Sequence, residues 1–266
     1  MSTHEVFIAS YEKDFPWLDV NLRSLRRFSE GFLPPVVCVE RHEVRSAKQY
    51  TDGAHLCAKD GRGPGTGFLR AQIAMMCADI MCPSADYIYL LGSDCMAFRR
   101  FAPDVYWFRD KPVMLYNSYA ELGNMDAVGM WQGSTEQVLG FSCPNETMRR
   151  LPLVYPRELF PAVRKHIEDR HGMAFEDYIY KKGHPLSESN ILGCYALKFM
   201  PERYTWLHAS PSDPSYVEYR TPLSDSIAQF WSHGGLDHPQ TLALDYAPGK
   251  NTHGKTPREI IRDVLG

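Results

Sequence analysis

Apolar positions in the first forty residues change period twice. Glu5 to Ser10 (EVFIAS) is a short apolar run of the kind that forms a strand buried on both faces. A loop is expected from Tyr11 to Trp17. Beyond it Leu18, Leu22, Leu25 and Phe28 recur at three- to four-residue spacing and predict an amphipathic helix. Pro34-Pro35 stops the chain, and Val36 to Glu40 (VVCVE) reads as a second buried strand. This β-α-β order predicts a parallel sheet with a right-handed crossover.

The glycine-rich stretch Lys59 to Gly67 (KDGRGPGTG) reads as a loop. From Phe68 to Met81 the periodicity is helical, with Leu69, Ile73, Met76 and Ile80 on one side. Pro83-Ser84 ends that helix, and Tyr87 to Leu91 (YIYLL) is a third strong strand. Val113 to Asn117 reads as a further strand. Pro156 to His171 reads as a helix with proline in its first turn and Gly172 past its end. Ser187 to Tyr195 reads as a short helix opened by a serine cap. Beyond Met200 the sequence looks loop-rich, with Ile227 to Ser232 its one convincing strand. No repeat and no clean linker divides the chain. The expectation is therefore a single α/β domain over 1–266, with a nucleotide half of about 1–118 and an acceptor half of about 119–266.

Composition narrows the function. The 266 residues carry a net charge of −3, whereas a protein gripping a phosphate backbone usually has a basic excess, so nucleic acid is disfavoured as the main ligand. The seven cysteines show no zinc-ribbon spacing and read as buried thiols of a reducing compartment. The first residues lack the pattern of a signal peptide, and no apolar run has the length of a membrane span, so the expected location is the cytoplasm. There is no P-loop, no dinucleotide fingerprint and no nucleophile elbow.

Chemistry concentrates in Tyr87 to Phe98, YIYLLGSDCMAF. An apolar strand runs straight into Gly-Ser-Asp, and in an open α/β sheet ligands bind at the carboxyl ends of the strands, where Asp94 falls. A carboxylate among apolar neighbours needs a cation or a donor. A hard divalent metal with phosphate oxygens as further ligands meets that need.

This segment resembles the metal strand of GT-A glycosyltransferases, which ends in an Asp-x-Asp motif holding Mn or Mg and the donor diphosphate. LGSDCMAF matches that pattern at Leu91, Ser93, Asp94 and Phe98, while Gly92 stands where the first acidic residue belongs. Gly67 to Gln72 (GFLRAQ) is similar to the opening of the helix that precedes this strand in many such enzymes. The block from Met148 to His166, followed by SESNILGCY, is similar to a group of bacterial and phage glycosyltransferase-like proteins, with Ser187, Glu188, Gly193 and Tyr195 matching an element near the acceptor site.

The resemblance implies a GT-A-like, Rossmann-like fold and a metal-dependent transferase. Its donor would be a nucleotide diphosphate sugar, most readily a UDP-sugar, and its acceptor a hydroxyl, by default on a glycan or glycan precursor. Asp94 and a late histidine, His233, would bind Mn2+ or Mg2+, with His208 and His238 as rivals of His233. Ser10, Tyr11, Glu40, Arg70, Ser93 and Trp231 would bind the donor: Glu40 by accepting from base or ribose, Arg70 by forking onto the diphosphate. Trp231 offers an aromatic face for stacking.

Glu188, early in a helix whose dipole favours its ionised form, would be the base that activates the acceptor hydroxyl or the group that orients the acceptor. A hydroxymethylated base of phage DNA is an alternative acceptor, suggested by the basic stretch Arg149, Arg150, Arg157, Arg164 and Lys165. Two further alternatives are a non-catalytic nucleotide- or glycan-binding module, suggested by Gly92, and a nucleotidyltransferase, for which FIASYEKDFPW is a poor first loop.

Overall fold

The computed structural model describes residues 2–60, 67–122, 126–149, 151–183, 185–219, 226–230, 236 and 256–266. The chain opens with β1 (His4–Ala9), α1 (Phe15–Phe28), β2 (Val36–Glu40), α2 (Val44–Ala47) and β3 (His55–Lys59). It continues through α3 (Gly67–Met75), α4 (Ala78–Met81), β4 (Tyr87–Leu90), β5 (Cys95–Ala97), β6 (Trp107–Phe108) and β7 (Lys111–Ser118). There follow α5 (Tyr119–Leu122), α6 (Asp126–Leu139), β8 (Asn145–Glu146), β9 (Leu153–Pro156), α7 (Leu159–His171), α8 (Phe175–Lys182) and α9 (Glu188–Phe199). The last elements are β10 (Thr205–His208), α10 (Pro214–Tyr219), β11 (Ile227–Gln229) and α11 (Pro257–Leu265).

Five strands form the main sheet in the order β3-β2-β1-β4-β9. The first four are parallel, and β9 runs antiparallel to β4 at the edge. Side chains alternate between two apolar layers, as the period of a strand requires. Phe7, Val36, Cys38, Ile88 and Leu90 face one layer with Leu69, Ile73, Phe160, Val163 and Ile191. Val6, Ile8, Val37, Val39 and Tyr89 face the other, with Phe15, Leu18, Leu22 and Leu25 of α1. Both faces are therefore covered, which is why β1 and β2 read as continuous apolar runs. Phe7 and Ile8 are fully buried, and each such side chain contributes about 1.5–3 kcal/mol relative to an exposed one. The result is a mixed α/β architecture, a mixed sheet flanked by helices, consistent with a Rossmann-like arrangement. Smaller sheets, β10-β7-β6 with β8 and β11-β5, complete it.

Several elements depart from the sequence reading. Pro156 ends strand β9 instead of opening a helix, and α7 begins at Leu159. Proline is tolerated there because β9 is an edge strand. The helix expected over 68–81 breaks after Met75, because Cys77 leaves helical geometry (φ −114, ψ 16) before α4 resumes. Helix α1 starts three residues before its first predicted leucine, with Pro16 in its first turn, and a short 3-10 turn, Glu12–Asp14, precedes it. Strands β3 and β10 were not foreseen, and β11 ends at Gln229 rather than Ser232. Among the described residues no helix is long and apolar enough to cross a membrane.

Candidate functional site

From β1 the chain moves to β2 and β3 on one side, then crosses to β4 on the other. The carboxyl ends of β1 and β4 therefore border the crevice where the winding direction reverses, the usual ligand position in such sheets. The ladder runs one residue past each strand, since Ser10 N–H donates to Cys38 O at 2.9 Å and Leu91 N–H to Phe7 O at 3.1 Å. Ser10 and Tyr11 emerge from β1, and Gly92-Ser93-Asp94 emerges from β4.

A tight turn closes after β4, with Cys95 N–H donating to Gly92 O at 3.2 Å and Asn21 Nδ2 donating to the same carbonyl at 2.8 Å. Phe230 N–H donates to Asp94 O at 2.9 Å, which ties β11 to this turn. The turn folds the Asp94 carboxylate back over Gly92: a Cβ placed on Gly92 would lie 2.6 Å from Asp94 Oδ1. The glycine that interrupts the Asp-x-Asp pattern thus makes room for the following carboxylate. An acidic residue at position 92 and Asp94 as it stands exclude one another.

A second carboxylate faces this turn. Ser93 Oγ donates to Asp14 Oδ2 at 3.2 Å, and the Tyr11 hydroxyl donates to Asp14 as well. Burial, then the charge of Asp14, push the Asp94 carboxyl from 3.8 up to about 7, while a hydrogen bond from the Gln229 side chain pulls the other way. Burial, then Asp14 and finally Asp94, likewise raise the Tyr11 phenol. Tyr11, Asp14, Ser93 and Asp94 form one linked group.

A pocket adjoins it, with Tyr11 in the shared wall. Its lining combines Ser10 and Tyr11, the end of β2 from Cys38 to Glu40, Lys59 at the end of β3, Gly67 and Arg70 of α3, and Tyr180 of α8. The space between these walls is about 360 Å³ when the part open to solvent is counted. Gly67 opens α3 against the Tyr11 ring, which an added Cβ would meet at 3.4 Å. The Ser10 hydroxyl is buried in this wall with no hydrogen-bond partner among the described residues.

Two charges expected to meet ligand meet each other instead. Arg70 Nη1 lies 2.7 and 2.6 Å from the two oxygens of Glu40, so the guanidinium predicted for the diphosphate is engaged by the carboxylate predicted for the ribose. Lys59, which the sequence did not single out, donates to Glu176 Oε1 at 2.9 Å.

Glu188 also departs from expectation. It follows the Ser187 cap, whose Oγ accepts from Asn190 N–H at 3.2 Å. Its carboxylate accepts from Ser189 Oγ at 2.9 Å and from the Gln72 side chain, and it lies buried outside the pocket lining. Burial outweighs these donors and raises its carboxyl, so the helix terminus does not set its ionisation. What the two motifs share is a packing contact: Gln72 Nε2 donates to Leu186 O at 2.5 Å and bridges α3 to the start of α9.

The described residues of the basic stretch are engaged within the chain. Arg149 pairs with the fully buried Glu146, and Arg157 donates to Ala85 O at 3.0 Å. Arg164 forks onto Asp79 at 2.6 and 2.8 Å, and Lys165 meets Asp169 at 2.8 Å. Arg150, Trp231, His233 and His238 lie outside the described residues. His208 is bonded to Glu121 at 2.7 Å. Among the described residues no group of three or more His, Cys, Asp or Glu side chains is arranged to hold a metal ion, so Asp94 has one carboxylate companion, Asp14.

Asp14, Lys59 and Tyr180 were missed by sequence reasoning. Asp14 had a signal, an acid just past the first strand. Lys59 opens the glycine-rich stretch that reads as a loop, yet it is the last residue of β3, and Tyr180 sits on a helix that no motif marks. No protein-family model matches this sequence and no curated protein matches it, so the site is known from its own geometry.

Proposed function

We propose that this chain is a GT-A-like glycosyltransferase that takes a sugar from a nucleoside diphosphate donor, with a divalent cation at Asp94. The observation that carries the reading is the proximity of Asp14 and Asp94 at the switch point, beside a pocket whose wall holds a Ser10 hydroxyl with no partner among the described residues. A partly desolvated Asp94 carboxylate whose protonation the neighbouring Asp14 raises further is a poor arrangement for an empty turn. Their hard oxygen donors, with Ser93 Oγ close by, fit Mg2+ or Mn2+. Such a cation supplies positive charge for the diphosphate that leaves the sugar.

The chain's own residues do the rest. Asp94 and Asp14 hold the cation, the Ser10 hydroxyl donates to or accepts from the nucleoside, and Arg70 fixes Glu40 at the pocket edge as an acceptor. Uridine is the first base to test and a glycan hydroxyl the first acceptor, both by resemblance. Glu188 is left out of the reacting group because it is buried against Gln72 and Ser189. Paired cations in the basic stretch favour a saccharide over duplex DNA as acceptor.

A second reading, a nucleotide-binding module without transfer, draws support from Gly92 and the two-carboxylate set. Release of nucleoside diphosphate from a panel of nucleotide sugars, with and without Mn2+, separates them. Mn2+-dependent release that Asp94→Asn abolishes supports the transferase; binding without release supports the module. Neither binding nor release, in any combination, refutes both.

A further inference from the structure

Two of the seven cysteines face each other behind the pocket. Cys38 of β2 and Cys57 of β3 are directly opposed in the parallel register. Opposed residues on adjacent strands point to the same side of the sheet and stand about 4.8 Å apart at Cα. That spacing lies inside the range of about 4.4–6.8 Å that a disulfide spans. The two thiols interact electrostatically, and both are reduced.

Their surroundings make them unequal. The interaction with Cys38 pulls the Cys57 thiol down against burial, whereas the same interaction and burial push Cys38 up. Cys57 therefore ionises first, and the thiolate is the reactive form. Its sulfur lies 3.3 Å from Val37 O and 3.3 Å from Met81 Sδ, with Lys59 Nζ and Cys77 Sγ, 3.2 Å apart, close to Cys38. Cys57 keeps part of its surface in water, and Cys38 lines the pocket, so a small oxidant can reach the pair.

We propose that Cys38 and Cys57 form a reversible oxidation site at which a hydroperoxide converts the two thiols into a disulfide between β2 and β3. In the first step the Cys57 sulfur attacks the peroxide, the O–O bond breaks, and Cys57 becomes a sulfenic acid. Its two electrons go to the leaving oxygen, which departs as water or alcohol with the proton Cys57 gave up. In the second step the Cys38 sulfur attacks the Cys57 sulfur, the S–S bond forms, and the S–O bond breaks. The hydroxide leaves as water with the Cys38 proton. Two equivalents of a thiol reductant restore both cysteines. This inference does not depend on the proposed transferase activity.

Treating the full-length chain with hydrogen peroxide under native conditions tests it. The intact mass should fall by two hydrogens, a Cys38–Cys57 linked peptide should appear, and dithiothreitol should reverse both. In Cys38→Ser, Cys57 should stop at the sulfenic acid and be trapped by dimedone; in Cys57→Ser, neither product should form at Cys38. Should a variant fail to fold, the peptide map of the unaltered chain decides alone. A disulfide formed elsewhere instead, between Cys143 and Cys194 or between Cys38 and Cys77, overturns the proposal. So does a map in which both Cys38 and Cys57 remain thiols while a free-cysteine peptide in the same tube is oxidised.

Discussion

Replacing Asp94 by asparagine keeps the shape of the side chain and removes its charge. Burial and Asp14 raise the folded carboxyl from 3.8 to about 7, so between those values the folded protein holds a proton that the unfolded chain has lost. Stability rises with pH only where the unfolded state binds more protons, and here the folded state does. The group therefore costs nothing below about pH 4, and its penalty grows until pH passes 7. About three decades at ~1.4 kcal/mol each give a penalty of about 4 kcal/mol, an upper bound because Asp94 keeps some contact with water.

Urea denaturation of both proteins from pH 4 to 8, in chelator, measures it. Asp94→Asn should match the parent at pH 4 and exceed it by about 2–4 kcal/mol at pH 8. Asp14→Asn should remove part of the same slope, because Asp14 is the second cause of the shift. A stability difference that does not change with pH would show that the carboxylate is neither desolvated nor repelled, and the reasoning that makes it a cation site would fall with it.

Other outcomes follow from single contacts. Gly193→Ala should destabilise by at least ~1–3 kcal/mol in urea, because its Cβ would lie 2.1 Å from the buried Thr147 Oγ1; a neutral result would refute the packing of α9 on β8. Arg149→Met should cost ~3–5 kcal/mol by stranding the buried Glu146, and adding Glu146→Gln should recover much of it in a double-mutant cycle. Duplex DNA should bind weakly with a shallow salt slope, since Arg149, Arg164 and Lys165 are each paired with a carboxylate of the same chain. A fall of ~10³-fold between about 50 and 200 mM salt, as six or so phosphate contacts would give, contradicts that.

How much was legible followed from where the signals lay. Strands β1, β2 and β4 are sandwiched between helical layers, so their apolar runs stood out, and the first βαβ unit could be read directly. Strand β3 is an edge with only partly buried side chains, so HLCAK carried no clear pattern. β9 shows only the apolar run Leu153–Pro156, and its closing Pro156 imitates a helix start. The position of Asp94 followed from the rule for strand ends, and Ser10, Tyr11, Glu40 and Arg70 do converge on one pocket. What sequence could not show was the partner of each charge. Arg70 meets Glu40 and Glu188 turns inward, because pairing depends on crossings between α3, α9 and the sheet that no local pattern encodes. Asp14 joined the site only once the 3-10 turn and the β4 turn had been placed side by side.

Thermal stabilisation by nucleoside diphosphates tests the donor-site proposal most directly. Wild type and Asp94→Asn are each heated with UDP, GDP, ADP or CDP, with Mn2+ present or chelated. At about 100 times its dissociation constant a ligand adds ~2.7 kcal/mol to the stability of the folded state. One of the nucleotides should produce that gain in wild type only when Mn2+ is present, and in Asp94→Asn it should produce none. Equal stabilisation of the two proteins, or the same gain with and without Mn2+, would contradict a cation-bound diphosphate at the ends of β1 and β4.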